Sequence, residues 1–116
     1  YQVVNYGGMD KNYLETSGSS IMAYAILMGV RMGFLPESYR AYAEKAIDGI
    51  CDKYLSTKEG EMSLGGICLV AGLGGKGRRP GTYDYYMSEP VVEDDAKGVG
   101  PFLLAYTEML SYKNKQ

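Results

Sequence analysis

The segment Ser19-Ser-Ile-Met-Ala-Tyr-Ala-Ile-Leu-Met-Gly-Val-Arg-Met32 decides the fold of this chain. Apolar residues fall on nearly every face of the helix that the segment predicts, so no continuous polar side is left. A helix without a polar face is stable only when protein surrounds it. Thr16 or Ser17 is placed to cap this helix, because a hydroxyl oxygen there accepts hydrogen bonds from free backbone amides. The segment therefore predicts an inner, buried helix.

A second helix follows after a short turn that contains Gly33 and Pro36. Between about Glu37 and Leu55, apolar residues recur at spacings of three and four, and charged residues occupy the opposite side. This pattern is typical of an amphipathic outer helix. A fully buried helix next to a half-buried one indicates a layered helical array or a helical barrel, rather than a small free-standing bundle.

The rest of the chain predicts one more long helix and a long connection. The third helix covers about Val99 to Tyr112 and is mostly apolar, with Pro101 in its first turn. Residues 56–98 form the connection, and Met62–Ala71 within it has the composition of one or two short strands. Such a long connection is usually functional or disordered, and its tyrosines and apolar residues argue against disorder. The predicted fold class is therefore mainly α, with a long loop that has room for a short β-hairpin.

The composition argues against several classes of site and partner. The 116 residues carry a net charge of -2, which gives no support to binding of nucleic acid or of an acidic membrane surface. The longest apolar run, Ile21–Met28, is shorter than the roughly 20 residues that span a bilayer. There is no histidine, so Ser-His-Asp catalysis and most zinc sites would need a residue from another chain. Cys51 and Cys68 could form one bridge, but two buried free thiols are the better interpretation.

The candidate for function is the segment Arg79-Pro-Gly-Thr-Tyr-Asp-Tyr-Tyr-Met-Ser-Glu89, called the tyrosine segment below. A tyrosine combines a flat apolar face with a hydroxyl tip, which suits a sugar ring edged with hydroxyl groups. Glu89 either holds a sugar hydroxyl or orients a tyrosine, and the sequence leaves both roles open. Arg78 and Arg79 are candidates for pairing with a substrate carboxylate through the guanidinium fork, although surface arginines are common in loops.

Three further patterns each have a structural and a functional interpretation. Gly72, Gly74 and Gly77 fit the G-x-G-x-x-G pattern of dinucleotide sites, but no predicted helix follows them directly, so a bent loop is the better interpretation. The acidic run 93–95 lacks the spacing of a calcium loop, and acids ahead of a helix often only complement its positive end. Glu15, just before the first helix, either faces a central cavity or caps the helix.

Several blocks in a fixed order resemble a known enzyme family. They are Asn12-Tyr-Leu-Glu-Thr-Ser-Gly-Ser19, Gly66-Ile-Cys-Leu-Val-Ala-Gly-Leu-Gly-Gly75, Gly81-Thr-Tyr-Asp-Tyr-Tyr-Met-Ser-Glu-Pro90 and Lys97-Gly-Val-Gly-Pro-Phe-Leu-Leu-Ala105. Together they resemble the C-terminal part of the unsaturated rhamnogalacturonyl hydrolases, glycoside hydrolase family 105, which are related to the unsaturated glucuronyl hydrolases of family 88. The resemblance covers nearly all of this chain, but only about the last third of such an enzyme.

The resemblance implies both a fold and a reaction. The fold is an (α/α)6 barrel, of which residues 1–116 are expected to be a single fragment that contains the last hairpins. Family members remove the terminal unsaturated galacturonic acid from pectin-derived oligosaccharides. An aspartic acid protonates the carbon–carbon double bond and guides water onto it, and the resulting hemiketal breaks down and releases the sugar. No metal or organic cofactor is needed. The family's aspartate lies upstream of this segment, so the resemblance assigns no catalytic residue within it.

The resemblance also implies substrate contacts. One loop is expected to line the pocket and to contact substrate through Arg79, Gly81, Thr82, Tyr83 and Tyr85. Thr82 is the first choice for a hydrogen bond to the sugar. Pro80 stands where family members often have a polar residue; it stiffens the loop, which puts the direction of the Arg79 side chain in question.

The expected partners follow from these assignments. An oligosaccharide is the expected substrate, and neither nucleic acid nor a membrane is an expected partner. The first and third helices need cover on their apolar sides, which the remainder of the parent enzyme would supply; self-association of the segment is the other way to cover them. Without its proton donor the segment is expected to be inactive. The alternative function is a non-catalytic glycan-binding or helical scaffold domain that uses the tyrosine segment as a binding platform.

Overall fold

The computed structural model describes residues 1–76 and 79–113 and is mainly helical. The helices are α1 (Thr16–Arg31), α2 (Arg40–Tyr54), the short α3 (Tyr83–Ser88) and α4 (Ala96–Lys113). The connection between α2 and α4 also holds the strands β1 (Leu55–Lys58), β2 (Glu61–Leu64), β3 (Ile67–Cys68) and β4 (Val91–Val92). Single 3-10 turns at Val4–Tyr6 and Glu37–Tyr39 precede α1 and α2. The predicted mainly α fold is confirmed.

Helix α1 is the centre of the fold and packs against both α2 and α4. Leu27 of α1, Ile47 of α2 and Met109 of α4 are fully buried in one core, together with Ile67 of β3. Burying an aliphatic side chain of this size contributes about 1.5–3 kcal/mol, so these residues hold the three long helices and β3 together. Tyr112 of α4 adds a direct link, because its hydroxyl donates a hydrogen bond to the backbone oxygen of Leu27 at 2.9 Å.

One side of α1 and one side of α4 have no cover among the described residues. Ile21 and Met22 of α1 are 53% and 60% exposed, and Leu103 and Leu104 of α4 are 58% and 52% exposed. The prediction that the first helix is buried on every face is therefore wrong for residues 1–116 by themselves. The expectation that this segment exposes apolar sides of the first and third predicted helices agrees with the structure. Within the described ranges, no helix combines the length and the apolar character needed to cross a bilayer.

Helices α1 and α4 each begin three residues earlier than the sequence predicts. The reason is a carboxylate in front of each helix. Glu15 accepts hydrogen bonds from two amides of the first turn of α1, and Asp95 accepts one from the amide of Lys97 in α4. Pro101 therefore lies inside α4 instead of in its first turn. Since proline has no N–H, this position leaves one helical hydrogen bond unmade.

The strands form two small antiparallel sheets. Strands β1 and β2 are a hairpin in which Leu55 pairs with Leu64. Its turn residues Glu59 and Gly60 both have positive φ, 54° and 86°, which is the two-residue turn that fits the twist of paired strands. Strands β3 and β4 form the second sheet. The expectation of strands within Met62–Ala71 agrees with β3 and most of β2 but misses β1, which is polar, and β4, which has two residues.

The link between β2 and β3 holds the start of α1. The amide of Thr16 donates to the backbone oxygen of Gly66 at 2.8 Å, and its hydroxyl donates to the backbone oxygen of Gly65 at 2.7 Å. Gly66 has a φ of +71°, and a Cβ atom at this position would collide with Thr16 and Tyr54. Only glycine fits such a site. The contact fixes α1 against the strands that lead into the tyrosine segment.

Both cysteines are free thiols, as the sequence interpretation has it, but the expected burial holds only for Cys68. Cys68 in β3 is buried, and Cys51 in α2 is half-buried. Burial is the main cause that raises the pKa of each thiol. Thiols of this kind behave as small apolar side chains, and nothing in their surroundings indicates a reactive cysteine.

Candidate functional site

The tyrosine segment contains a short helix, not only a loop. Thr82 has an extended backbone, with φ -101° and ψ 150°, and its hydroxyl oxygen accepts a hydrogen bond from the amide of Tyr85 at 3.3 Å. This is the geometry of an N-terminal cap, and it starts α3 at Tyr83. The expectation of an irregular loop is wrong at these residues because the capping threonine and the turn that follows it favour a helix.

Residues far away in the sequence hold two of the tyrosines in place. The hydroxyl of Tyr83 donates to the backbone oxygen of Asp10 at 2.7 Å, and its ring meets the Tyr6 ring edge-on with the ring centres 5.8 Å apart. The hydroxyl of Tyr86 accepts a hydrogen bond from the side-chain amide of Gln2 at 3.1 Å. Sequence reasoning missed Gln2, Tyr6 and Asp10, since no local pattern signals a contact between the N-terminal segment and α3.

Tyr85 has a different partner, Glu89. Its hydroxyl donates a hydrogen bond to Oε1 of Glu89 at 2.9 Å, so the structure supports the interpretation that Glu89 orients a tyrosine. This hydrogen bond is the main cause that raises the pKa of Tyr85, and burial and the Glu89 charge act in the same direction. The neighbouring Arg79 guanidinium acts against that rise. Arg79, Tyr85 and Glu89 therefore form one polar group, called the Arg79–Tyr85–Glu89 group below.

The glycine-rich residues before Arg79 bring its side chain close to the backbone. The backbone oxygen of Arg79 accepts a hydrogen bond from the amide of Gly74 at 2.7 Å, which closes the bend. Nη1 of Arg79 occupies the place that a side chain on Gly72 would need. An open cavity of about 490 Å³ lies beside the bend and is lined by Gly74, Gly75, Lys76 and Arg79. Lys76 and Arg79, among the described lining residues, are cationic, so the cavity suits an anionic group.

Part of the glycine pattern lies outside the described residues. Gly77, its third glycine, and Arg78, the other candidate partner of a carboxylate, are both there. The next helix, α3, does not start directly after the glycines, and Thr82 caps its first turn. The helix-bound phosphate geometry of a dinucleotide site is therefore absent from the described part of this segment.

The Glu15 carboxylate is a buried capping group that accepts four hydrogen bonds within the chain. It is 6% exposed. Oε1 accepts from the amide and hydroxyl of Ser17 and from the amide of Cys68, at 3.0, 2.6 and 3.1 Å, and Oε2 accepts from the amide of Gly18 at 2.7 Å. Burial alone would raise the pKa of Glu15, but these hydrogen bonds outweigh burial and hold the pKa below its usual range. The prediction that Thr16 or Ser17 caps α1 is wrong because Glu15 does so.

The acidic run 93–95 is also structural. Asp94 links β2 to the chain after β4, because its carboxylate accepts a hydrogen bond from the amide of Leu64 at 2.8 Å. Asp95 caps α4 and forms an ion pair with Lys97, with 3.0 Å between the charged atoms. Across residues 1–76 and 79–113, no three side chains of the metal-binding types lie close enough to share an ion.

The structure brings together only part of the predicted contact set. Arg79 lies near enough to Tyr85 to lower its pKa, and Tyr85 donates a hydrogen bond to Glu89. Thr82 is exposed at the start of α3, and Gly81 before it is exposed with open space around it. Tyr83 donates its hydroxyl hydrogen to the backbone oxygen of Asp10, which leaves its ring and the lone pairs of its hydroxyl oxygen. The polar groups of the predicted contact set that can still bind a ligand are therefore at Arg79, Thr82, Tyr83 and Tyr85.

The comparison with protein families decides the affiliation of the chain. The model of Glycosyl Hydrolase Family 88 matches residues 1–113. The chain belongs to family 88. Two curated relatives of this family 88 chain, a protein of Agrobacterium fabrum (strain C58) and the 24.9 kDa protein in the picA locus of Rhizobium radiobacter, are each 44% identical over 94% of its length. The chain spans 50% of the length of each relative.

Two solved structures described as family 105 proteins are similar to this chain. A glycoside hydrolase from family 105 of C. acetobutylicum ATCC 824 is 50% identical and superposes with a TM-score of 0.89, over 96% of this chain and 31% of the other. A possible GH105 member from Salmonella enterica serovar Paratyphi A is 30% identical with a TM-score of 0.71, over 91% and 25% of the two chains. The family 88 chain thus has the fold of part of a family 105 hydrolase.

Proposed function

We propose that this chain is part of a glycoside hydrolase that releases unsaturated galacturonic acid from rhamnogalacturonan oligosaccharides by hydrating the double bond. The observation that carries the proposal is the Arg79–Tyr85–Glu89 group, which lies at the open side of a tyrosine-rich helix in a backbone that matches a family 105 hydrolase with a TM-score of 0.89. Shared family membership supports a glycosidase, and the side chains support a uronic acid as the sugar.

The chemistry of the site fits an acidic sugar. Arg79 provides a fork of N–H donors that matches the planar carboxylate of a uronic acid. Tyr85 provides a hydroxyl and an aromatic face, both suited to a sugar ring. Thr82 has a further hydroxyl whose hydrogen is free to donate, because its oxygen accepts from the Tyr85 amide. We therefore keep Arg79, Gly81, Thr82, Tyr83 and Tyr85 as the proposed substrate-contacting set.

The proton donor of the reaction is proposed to lie outside residues 1–116. Glu15, the buried carboxylate of the described residues, accepts hydrogen bonds that lower its pKa and hold it ionised, so it has no proton to give as the general acid. In the related hydrolases resembled by this sequence the acid is an aspartate upstream of the corresponding segment. Residues 1–116 alone are accordingly proposed to be inactive.

The remainder of a longer enzyme is the proposed partner of the open apolar sides of α1 and α4. Ile21 and Met22 on one helix and Leu103 and Leu104 on the other are more than half exposed. Apolar surface of this kind is normally covered by protein. The solved family 105 chain that superposes on this one is about three times as long, which supports further helices as the cover. Association of two copies is the other outcome that an experiment would detect.

The test uses the longer protein that carries residues 1–116 and an unsaturated rhamnogalacturonan disaccharide. The ultraviolet absorbance of the conjugated double bond should fall with time, while the same disaccharide without the double bond should stay intact. The saturated disaccharide is the control because an ordinary glycosidase would cleave it as well, whereas hydration requires the double bond.

Two results would count against the proposal. Absence of turnover, combined with binding of the disaccharide, would favour the non-catalytic glycan-binding domain. Cleavage of the saturated disaccharide at the same rate would show that the reaction does not begin at the double bond. For residues 1–116 alone, measurable turnover by a pure preparation would refute the placement of the proton donor outside this segment.

A further inference from the structure

The hydroxyl of Tyr85 has a negative and a positive side chain near it. It donates a hydrogen bond of 2.9 Å to the carboxylate of Glu89. The guanidinium of Arg79 is near enough to lower the pKa of Tyr85, against the rise that Glu89 causes. Tyr85 and Glu89 are half-buried and Arg79 is exposed, so the group is held by the protein and still open to a ligand.

This arrangement determines which hydrogen-bonding capacity the Tyr85 hydroxyl keeps for a ligand. A phenol hydroxyl has one hydrogen and two lone pairs. Its hydrogen is used in a hydrogen bond to a carboxylate, which is stronger than one between neutral groups. The guanidinium of Arg79 has donors only and cannot take that hydrogen. The capacity that remains on Tyr85 is therefore acceptance of a hydrogen bond.

We propose that Tyr85 is an obligate acceptor that selects a hydroxyl group on the bound sugar, and that Glu89 is the positioning residue that makes it so. The proposal rests on the function proposed above and adds the chemical group recognised at one point of that site. A sugar hydroxyl can donate to Tyr85. A carboxylate or a ring oxygen at the same place has no hydrogen to donate and would be left unpaired, which is unfavourable. The carboxylate of the uronic acid is thereby directed away from Tyr85.

The expected specificity follows from the cost of an unpaired group. A site built to hydrogen-bond a substrate hydroxyl discriminates against the analogue that lacks it. We expect one of the two free hydroxyls of the unsaturated sugar to be the donor, so the matching deoxy analogue should lose about tenfold in kcat/KM. On the other deoxy analogue, a substitution at residue 85 should lower kcat/KM by the same factor as it does on the parent disaccharide.

The experiment measures kcat/KM of the longer protein and of its Tyr85→Phe, Glu89→Gln and doubly substituted variants, on the unsaturated disaccharide and its 2-deoxy and 3-deoxy analogues. Tyr85→Phe should lose about tenfold on the parent disaccharide and nothing further on one deoxy analogue. Glu89→Gln should lose several-fold when Tyr85 is present and nothing when residue 85 is Phe. Tyr42→Phe, an exposed tyrosine of α2, is the matched control and should match the unaltered protein.

Each outcome decides the matter. If Tyr85→Phe is as active as the unaltered protein, or loses the same factor on all three substrates, the inference is overturned while the proposed function stands. If Glu89→Gln loses the same factor with Phe at residue 85, Glu89 has only a structural role. If the unaltered protein has no activity on the parent disaccharide, both the proposed function and the inference that rests on it are wrong. Should Glu89→Gln not fold, the Tyr85→Phe series decides by itself.

Discussion

The carboxylate of Glu15 accepts a hydrogen bond from the backbone amide of Cys68 at 3.1 Å, and it does so while capping α1. One buried side chain thus joins the start of the central helix to β3, the strand that leads into the glycine-rich residues and the tyrosine segment. The position of the candidate site relative to α1 depends on this contact.

Replacement of Glu15 by glutamine should lower the free energy of unfolding by about 2 kcal/mol, because the amide nitrogen has to face backbone N–H donors in a buried place. The folded-state pKa of Glu15 is lowered. Its contribution is therefore present above the ordinary glutamate pKa, about 4.3, and is lost as the pH falls toward the lower folded-state value. Urea unfolding between pH 3 and 7, roughly the span of that titration, measures it.

The matched control for Glu15 is Glu61→Gln on the exposed hairpin. It should leave stability within about 0.5 kcal/mol of the unaltered chain and should keep the acid-induced loss of stability. An identical dependence on pH in the Glu15→Gln variant would contradict the assignment of this carboxylate as the stabilising cap.

Gly98 of α4 allows the helix to approach β3. A Cβ atom at Gly98 would lie 2.5 Å from two carbon atoms of the Ile67 side chain, so Gly98→Ala should cost about 1–3 kcal/mol by overpacking. Gly100 in the same helix has open space, and Gly100→Ala should stabilise the chain by up to about 1 kcal/mol. Thermal unfolding of both variants checks the prediction, and equal effects would show that α4 does not contact β3 this closely.

Thr82 has two roles that substitution can separate. Thr82→Val removes both the cap and the hydroxyl and should destabilise α3 by about 1 kcal/mol. Thr82→Gly removes the hydroxyl but keeps a favourable N-cap residue, so it should cost only about 0.3 kcal/mol. If the hydroxyl contacts the sugar, both variants should lower kcat/KM by about tenfold. Full activity of Thr82→Gly would leave Thr82 with the capping role alone.

Ala25 lies on the exposed side of α1. Ala25→Asp should therefore leave the melting temperature of residues 1–116 nearly unchanged. In the longer protein, where this side is proposed to be covered, the same substitution should cost several kcal/mol because it buries an unpaired charge. Differential scanning calorimetry of both proteins makes the comparison, and tolerance in both would mean that no helix packs on this side of α1. Light scattering of residues 1–116 detects a second copy.

The sequence predicted what depends on local periodicity. The apolar run of α1 and the three-and-four spacing of α2 are readable by themselves, so the long helices were found. The exact starts were not, because Glu15 caps α1 from a position where threonine or serine is the usual choice. Helix α3 was missed because six residues are too few to show a helical period and their tyrosines were interpreted as binding residues. The contact of Gln2 with Tyr86 spans 84 positions, and no pattern in the sequence around either residue predicts it.

The most direct test of the account is a crystal structure of the longer protein with unsaturated galacturonic acid bound. The account predicts the sugar ring against α3, with one of its hydroxyl groups about 2.7 Å from the hydroxyl oxygen of Tyr85 and its carboxylate turned toward Arg79. A sugar bound in another cleft, with Tyr85 and Arg79 covered by neighbouring helices, would contradict it.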